Sequence, residues 1–177
     1  MQCRPEIPAA HDAVDALHRA TFPTDDEAEL VDALRERDAF VPPLSIVAVD
    51  DSDEPDEDAT VDRVVAHVLF TDVDVTGTDD ALALAPVAVH PTRQHDGIGT
   101  ALVEHALDRC QALDYDVVVL HGDPAYYSRF GVEPATSWGL ENPFDLPDED
   151  FQALALVDGI DDVVAGAVGY DDAFDAL

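Results

Sequence analysis

Apolar residues recur at helical spacing over residues 8–22 and again over 26–39, through Val14, Leu17 and Phe22 and then Leu30, Val31 and Leu34. This pattern predicts two helices behind a short opening strand. Pro42 and Pro43 interrupt it, and Ser45–Val49 then alternates as a strand that ends at Asp50. Residues 50–62, DDSDEPDEDATVD, are almost wholly acidic, cannot pack, and read as a long solvated hairpin loop rather than a domain linker. The β-branched run VVAHVLFTDVDV from Val64 predicts the next strand, closed by Gly77 with Asp79 and Asp80.

The stretch ALALAPVAVHPTRQHDGIGTALVEHALDRCQAL, residues 81–113, places a strand, a glycine loop and a helix in succession. Leu82 and Leu84 share one face of the strand, whereas Val87 and Val89 fall on the opposite parity. A one-residue phase change flips the faces unless a residue is inserted, and Pro86 at the junction cannot donate a ladder hydrogen bond. A β-bulge is therefore expected near Ala85 and Pro86. Its unpaired backbone groups would suit an amide-bearing ligand lying along Val87, Ala88 and Val89. After the loop Arg93-Gln94-His95-Asp96-Gly97-Ile98-Gly99-Thr100, an apolar stripe of Ile98, Ala101, Leu102, Ala106, Cys110 and Leu113 predicts a helix that starts within the glycines. Unpartnered N–H groups at such a helix start, with Gly97 and Gly99 allowing close approach, fit a pyrophosphate. The same two glycines fit a tight strand-to-helix turn equally well.

Composition narrows the choice. The chain has 177 residues, the usual size of one domain, and residues 1–177 are expected to form a single one. Apolar residues make up 47%, but no stretch approaches the roughly 18–20 that a membrane span needs. The N-terminus carries no export pattern, so the expected location is cytoplasmic. Forty Asp and Glu stand against eight Arg and no Lys, a formal net charge of −32. Nucleic-acid binding is excluded on electrostatic grounds. Self-repulsion on that scale is tolerable where the Debye length falls to about 3 Å, in about 1 M salt, and the composition resembles that of haloarchaeal proteins. Cys3 and Cys110 lack metal-ligand spacing, as do His90, His95 and His121, so neither a disulfide nor a metal is expected. The absence of Lys rules out a P-loop, and a Rossmann fingerprint would want Gly or Ala where Leu102 stands.

Gln94-x-x-Gly97-x-Gly99 after a bulged strand resembles the acyl-CoA pyrophosphate loop of the GNAT superfamily of N-acetyltransferases. Downstream, Val117–Leu120 reads as a buried strand and Ala125–Phe130 as a short helix ended by Gly131. There Tyr127-Ser128-Arg129-Phe130-Gly131-Val132 is similar to the superfamily's Tyr-x-x-x-Gly-Phe segment, with Val132 in place of the usual Phe. Gly-Asp-Pro-x-Tyr-Tyr-x-Arg-Phe-Gly with Pro134 and the closing Ala-Phe-Asp-Ala-Leu resembles the YhbS-like subgroup of predicted N-acetyltransferases, over nearly the whole chain.

The resemblance implies an α+β fold: a mixed, mostly antiparallel central sheet flanked by helices, with its central strands splayed where the cofactor enters. It implies transfer of an acetyl group from acetyl-CoA to a primary amine by direct attack. The pantetheine arm would lie along Val87, Ala88 and Val89, and a backbone N–H there would stabilise the oxyanion. Arg93, Gln94, His95, Asp96, Gly97, Ile98, Gly99 and Thr100 would hold the pyrophosphate, Thr100 through its hydroxyl. Tyr127 would protonate the leaving thiolate, since a phenol with a reference pKa near 10 stays protonated at neutral pH. Tyr126 would pack against the cofactor. Asp96 opposes an anion and is expected to face solvent, with Arg93 and Arg129 offsetting it and backbone donors dominating at high salt. The acceptor amine and the general base are unassigned. Glu27 and Glu29, at the start of the second helix, could bind or deprotonate an amine, and mid-strand His67 is expected to be structural. The expected state is a monomer or homodimer, the latter through a C-terminal strand ending in Phe174–Leu177. A non-catalytic acyl-CoA-binding sensor is the alternative reading, and a purely structural acidic domain a third.

Overall fold

A computed structural model of the chain describes residues 1–50 and 64–176. The acidic stretch read as a loop over 50–62 lies, beyond Asp50, outside the described residues. The order is β1 (Gln2–Pro5), α1 (His11–Thr21), α2 (Asp26–Arg35), β2 (Phe40–Val49), β3 (Val64–Asp72), β4 (Asp74–Thr76), β5 (Ala81–Val89), α3 (Ile98–Ala112), β6 (Val117–His121), α4 (Pro124–Tyr127), β7 (Glu133–Pro134), β8 (Leu140–Glu141), β9 (Phe151–Ala155) and β10 (Ala165–Gly169). A seven-stranded sheet runs β1-β2-β3-β5-β6-β9-β7, and β4-β10-β8 form a smaller one. In the main sheet only β5 and β6 pair in parallel. The architecture is the expected α+β one, mixed and mostly antiparallel.

Strand alternation sorts the core into two faces. Ile46, Ala48, Ala66, Val68, Phe70, Leu82, Leu84, Val118 and Leu120 pack against Ile98, Leu102, Val103, Ala106 and Cys110 of α3. On the other face Val47, Val49 and Leu69 meet Val14 of α1 and Leu30, Val31 and Leu34 of α2. Val73, Val75, Ala81, Ala83, Val117 and Val119 cover the small sheet on that side.

Register demonstrates the bulge. Val68 lies opposite Val87 and Phe70 opposite Leu84, so two steps along β3 match three along β5. Ala85 and Pro86 fall in the gap, and Val87 and Val89 return to the α3 face beside Leu82 and Leu84. β6 pairs with β5 only from Ala81 to Leu84. Beyond that point the two parallel strands part, which is the expected splay.

Three expectations need correction. Pro42 and Pro43 do not end the regular structure: they lie inside β2, where its register with β3 shifts between Phe40 and Ser45 and no ladder donor is required. The Val64 strand breaks at Val73, and its tail forms β4 of the small sheet. Up to Ala176, the last described residue, the C-terminus forms no strand. Asp172–Ala176 is a 3-10 turn that buries Ala173 and Phe174 against α2 and its neighbours, so this apolar side is covered within the chain.

Buried polar groups tie α1 and α2 to the sheet. The Arg35 guanidinium at the end of α2 donates to both Glu6 carboxylate oxygens, at 3.0 and 2.9 Å. His67 of β3 is fully buried, shares a 2.9 Å hydrogen bond with His18 of α1 through Nδ1, and meets Ser45 Oγ at 2.9 Å through Nε2. It is structural, as expected. Burial above all, with the nearby Arg35 charge, lowers the His18 pKa from 6.5 to about 4. Burial and the neighbouring His18 lower that of His67 as well.

Because the folded His18 pKa lies below the unfolded value, only the unfolded chain takes the proton between pH 6.5 and about 4. Stability is therefore unaffected above that window and lost as pH falls through it. Denaturant unfolding in about 2 M KCl, where carboxylate repulsion is screened, should show a loss of about 2 kcal/mol between pH 7.5 and 5 from this ring. Histidine NMR should find the His18 ring untitrated above pH 5 and the His67 ring titrating below the ordinary histidine range.

Candidate active site

The parting of β5 and β6 opens two cavities that share a wall. His90 N–H donates to the Val65 carbonyl at 2.9 Å. Antiparallel alternation then directs the Ala88 backbone toward β3 and the Val87 and Val89 backbone groups away from it, into the gap that β6 has left. The Val89 carbonyl is met by side chains, Thr21 Oγ1 at 3.3 Å and Gln94 Nε2 at 3.2 Å.

The first cavity, about 580 Å³, is lined by Val87, Val89, Arg93, Gln94, His95, Gly97, Gly99, Thr100, Tyr126, Tyr127 and Arg129, together with Thr21 and Asp123. Its floor is the start of α3, where Ile98, Gly99 and Thr100 lie too early in the helix for their N–H groups to reach a carbonyl one turn back. Gly97 caps the helix in the left-handed region, φ 81°, and His95 shares it at φ 67°, a conformation that costs a non-glycine residue about 1–2 kcal/mol. A side chain at Gly99 would place its Cβ 2.9 Å from the Tyr126 hydroxyl and 3.1 Å from Val89 Cγ2, so glycine is what lets that ring reach the loop. This is an anion-binding geometry made of backbone donors and a helix dipole.

Three expected site residues turn their side chains elsewhere. Ala88 is fully buried on the face of β5 opposite Val87 and Val89, Ile98 packs in the core, and Asp96 is exposed and lies 3.5 Å from Arg93 Nε. Arg93 also pairs closely with Asp50, so its charge is engaged by two carboxylates. Arg129 stacks 4.4 Å over the Tyr126 ring, and its Nη1 donates to Thr100 Oγ1 at 3.1 Å.

Asp123 caps α4 by accepting from the Ala125 N–H at 2.8 Å, with Pro124 at the first helical position. This short turn, continued as a 3-10 turn over Ser128–Phe130, presents Tyr126 and Tyr127 edge to face with ring centres 4.9 Å apart. Tyr127 lies against Gly122, where an added Cβ would stand 2.3 Å from its ring. Burial raises the Tyr127 phenol above its ordinary value near 10.

The second cavity, about 600 Å³, lies on the far side of Val87 and Tyr127, which line both. Its walls include Phe22, Leu84, Phe144, Leu146 and Phe174, with Asp26, Glu27, Asp145, His121 and Tyr170 as the polar members. Glu29 does not line it. Asn142 donates through Nδ2 to the Leu146 carbonyl at 2.9 Å, so its Oδ1 accepts from His121 Nε2, also at 2.9 Å. His121 therefore carries its proton on Nε2 and keeps a lone pair on Nδ1. Burial lowers its pKa, leaving the ring neutral at pH 7.

Sequence reasoning placed His121 beside the site only to set it aside as a metal ligand, and missed Thr21, Asp123, Phe144 and Tyr170 as lining residues. Of these, only Asp123 carried a local signal, the helix-start pair Asp-Pro. Among the described residues no group of three or more His, Cys, Asp or Glu could hold a metal ion, and no helix is long and apolar enough to cross a membrane.

The model of the Acetyltransferase (GNAT) family matches residues 11–132. The N-acetyltransferase YhbS of Escherichia coli K12, itself uncharacterised, is 38% identical over 175 residues, 98% of each chain. The uncharacterised N-acetyltransferase YjhQ of the same strain is 32% identical over 127 residues, 70% of this chain and 65% of its own. The crystal structure of Escherichia coli YhbS in complex with CoA superposes with a TM-score of 0.87 at 36% identity, over 98% of this chain and 91% of that one. A GNAT acetyltransferase from Brucella melitensis in complex with acetyl-CoA gives 0.71 at 30% identity, over 98% and 97%.

Gly122→Ala should force the Tyr127 ring out of its seat. The overpacking predicts a loss of about 1–3 kcal/mol in denaturant unfolding and a changed near-UV tyrosine signal. An unchanged near-UV spectrum would show that the ring is not held there.

Proposed function

The chain belongs to the acetyltransferase (GNAT) family, and from that premise we propose that it transfers the acetyl group of acetyl-CoA to a primary amine held in the second cavity. It is an acetyl-CoA-dependent acyltransferase with the fold of its family. The observation that carries the finer reading is the shared wall: one cavity has an anion-binding floor, the other an apolar body with carboxylates, and Val87 and Tyr127 face both. Neither cysteine lines either cavity, and burial pushes the Cys110 thiol up to about 12, which favours direct attack over an acyl-enzyme.

In this mechanism the N–H groups at the start of α3, with Gly97 and Gly99, hold the pyrophosphate, and Thr100, Tyr126 and Arg129 close over it. The backbone edge at Val87 and Val89 that faces the gap aligns the pantetheine amides and provides an N–H toward the carbonyl oxygen. His121 Nδ1 takes one proton from the acceptor ammonium and passes it to solvent. The neutral nitrogen adds to the thioester carbonyl carbon, and the C–S bond breaks with its electron pair on sulfur. Tyr127 gives its phenol proton to that sulfur, and the second proton shed by nitrogen as the amide forms restores the phenol. Apolar surroundings raise the Tyr127 pKa, so the phenol stays protonated until the thiolate forms. We also take residues 1–177 as one domain, working in a salt-rich cytoplasm where its −32 charge is screened.

Calorimetry with acetyl-CoA in about 2 M KCl tests the cofactor site. Wild type should bind; Gly99→Glu, which fills the floor with a carboxylate, should not, and failure of the folded wild type to bind would overturn the reading. Tyr127→Phe should lower kcat by roughly 100-fold or more and leave acetyl-CoA affinity unchanged, as loss of a proton donor demands. Equal kcat values would remove Tyr127 from the chemistry.

A further inference from the structure

Two residues that line the second cavity carry polar atoms whose partners are missing. Glu27 Oε2 and the Tyr170 hydroxyl are both buried and make no hydrogen bond within the protein. An unpaired buried carboxylate oxygen or phenol is costly, and native structures retain one chiefly where a ligand or ordered water completes it. Both residues line this cavity. Asp26 and Asp145 add two more carboxylates to its lining, and neither arginine nor lysine appears there. The rest of the wall is aromatic or aliphatic, with Phe22, Phe144 and Phe174 supplying ring faces, and Phe144 and Tyr170 packed edge to face with centres 5.0 Å apart.

A volume of about 600 Å³ is of the size that encloses a small molecule. The lining charge selects a cation, and the aromatic walls select a body with little hydrogen-bonding demand. Asp26 and Asp145 are exposed, so the additional ammonium groups of a polyamine would meet only solvated carboxylates at the mouth and phenyl rings within. An amino acid would bring its own carboxylate among three others.

We propose that the acceptor is a small primary amine with an aromatic or similarly compact apolar body and no carboxylate, its ammonium anchored by Glu27 Oε2 and the Tyr170 hydroxyl. The proposal rests on the acetyltransferase reading and adds the acceptor class. Glu27 is thereby a substrate-binding residue in the first turn of α2, where Asp26 lines the same cavity from an exposed position and Glu29 lies outside it.

Phenethylamine and phenylalanine form a matched pair that differs by the carboxylate, and spermidine is the polyamine control. Binding by calorimetry and transfer by release of free thiol are measured for each in about 2 M KCl. Phenethylamine should bind with and without CoA, and its kcat/KM should exceed that of phenylalanine and of spermidine by about 100-fold, the size of a like-charge or unpaired-charge penalty in a partly buried site. Glu27→Gln should raise the KM for phenethylamine by roughly 10- to 100-fold and leave the KM for acetyl-CoA alone, as loss of one charge-assisted hydrogen bond predicts. Tyr170→Phe keeps the ring and its packing, so it provides a second readout should Glu27→Gln unfold; its KM for phenethylamine should rise by about 3- to 10-fold. A protein that binds acetyl-CoA but favours phenylalanine or spermidine, or whose two variants leave the phenethylamine KM unchanged, overturns this inference and leaves the acetyltransferase reading standing. Binding of phenethylamine without any binding of acetyl-CoA does the reverse.

Discussion

One extra residue in β5 governs the layout of the site. Without the bulge at Ala85 and Pro86, Val87 and Val89 would point away from α3, and the strand could continue alongside β6. With it, β5 keeps its apolar face and its pairing to β3 along most of its length, yet loses β6 after Leu84. A parallel pair that parts at mid-length exposes backbone donors in the middle of a sheet, where they are otherwise consumed. The start of α3, the tyrosine turn of α4 and the ends of α1 and α2 all converge on that opening.

The second constraint is charge. With 40 acidic residues and no lysine, each cation has many carboxylates within reach. Arg35 is taken by Glu6 and Asp32, Arg19 by Asp15 and Asp25, and Arg93 by Asp50 and Asp96. An anion site in such a protein cannot depend chiefly on side-chain cations, and the proposed one would draw instead on peptide dipoles at a helix start, which salt screens far less than exposed ion pairs. The same economy holds inside the fold, where the His18–His67–Ser45 chain joins α1 to the sheet with neutral groups.

How much of this the sequence disclosed follows from the range over which each signal acts. The bulge was legible because Leu82, Leu84, Val87 and Val89 change parity within eight residues. The α3 start was legible because Gly97 and Gly99 sit beside an apolar stripe. Tyr126 and Tyr127 were legible because one short turn carries both. The small sheet was not: β8 is two residues long, β10 includes two glycines, and their pairing with β4 depends on partners far away in sequence. Glu27 and Glu29 were both read as first-turn acids that could bind or deprotonate an amine; only the burial of Glu27 Oε2 beside a cavity lined by Phe144, Tyr170 and Phe174 sets it apart from Glu29. Pro42 and Pro43 misled because proline is read as a strand breaker, whereas at a register shift it removes a donor that has no partner. The terminal Ala-Phe-Asp-Ala-Leu is too short to reveal its own conformation.

The partition between the two cavities is one valine and one tyrosine thick. At the depth where a thioester carbonyl would sit, donor and acceptor spaces therefore behave as a single container. An acetyl group ends at that partition. A propionyl or longer chain has only the acceptor's room to extend into, so each added methylene displaces part of the amine's body. On the proposed reading, donor length and acceptor bulk are thus coupled quantities, and enlarging the tolerance for one would narrow the tolerance for the other.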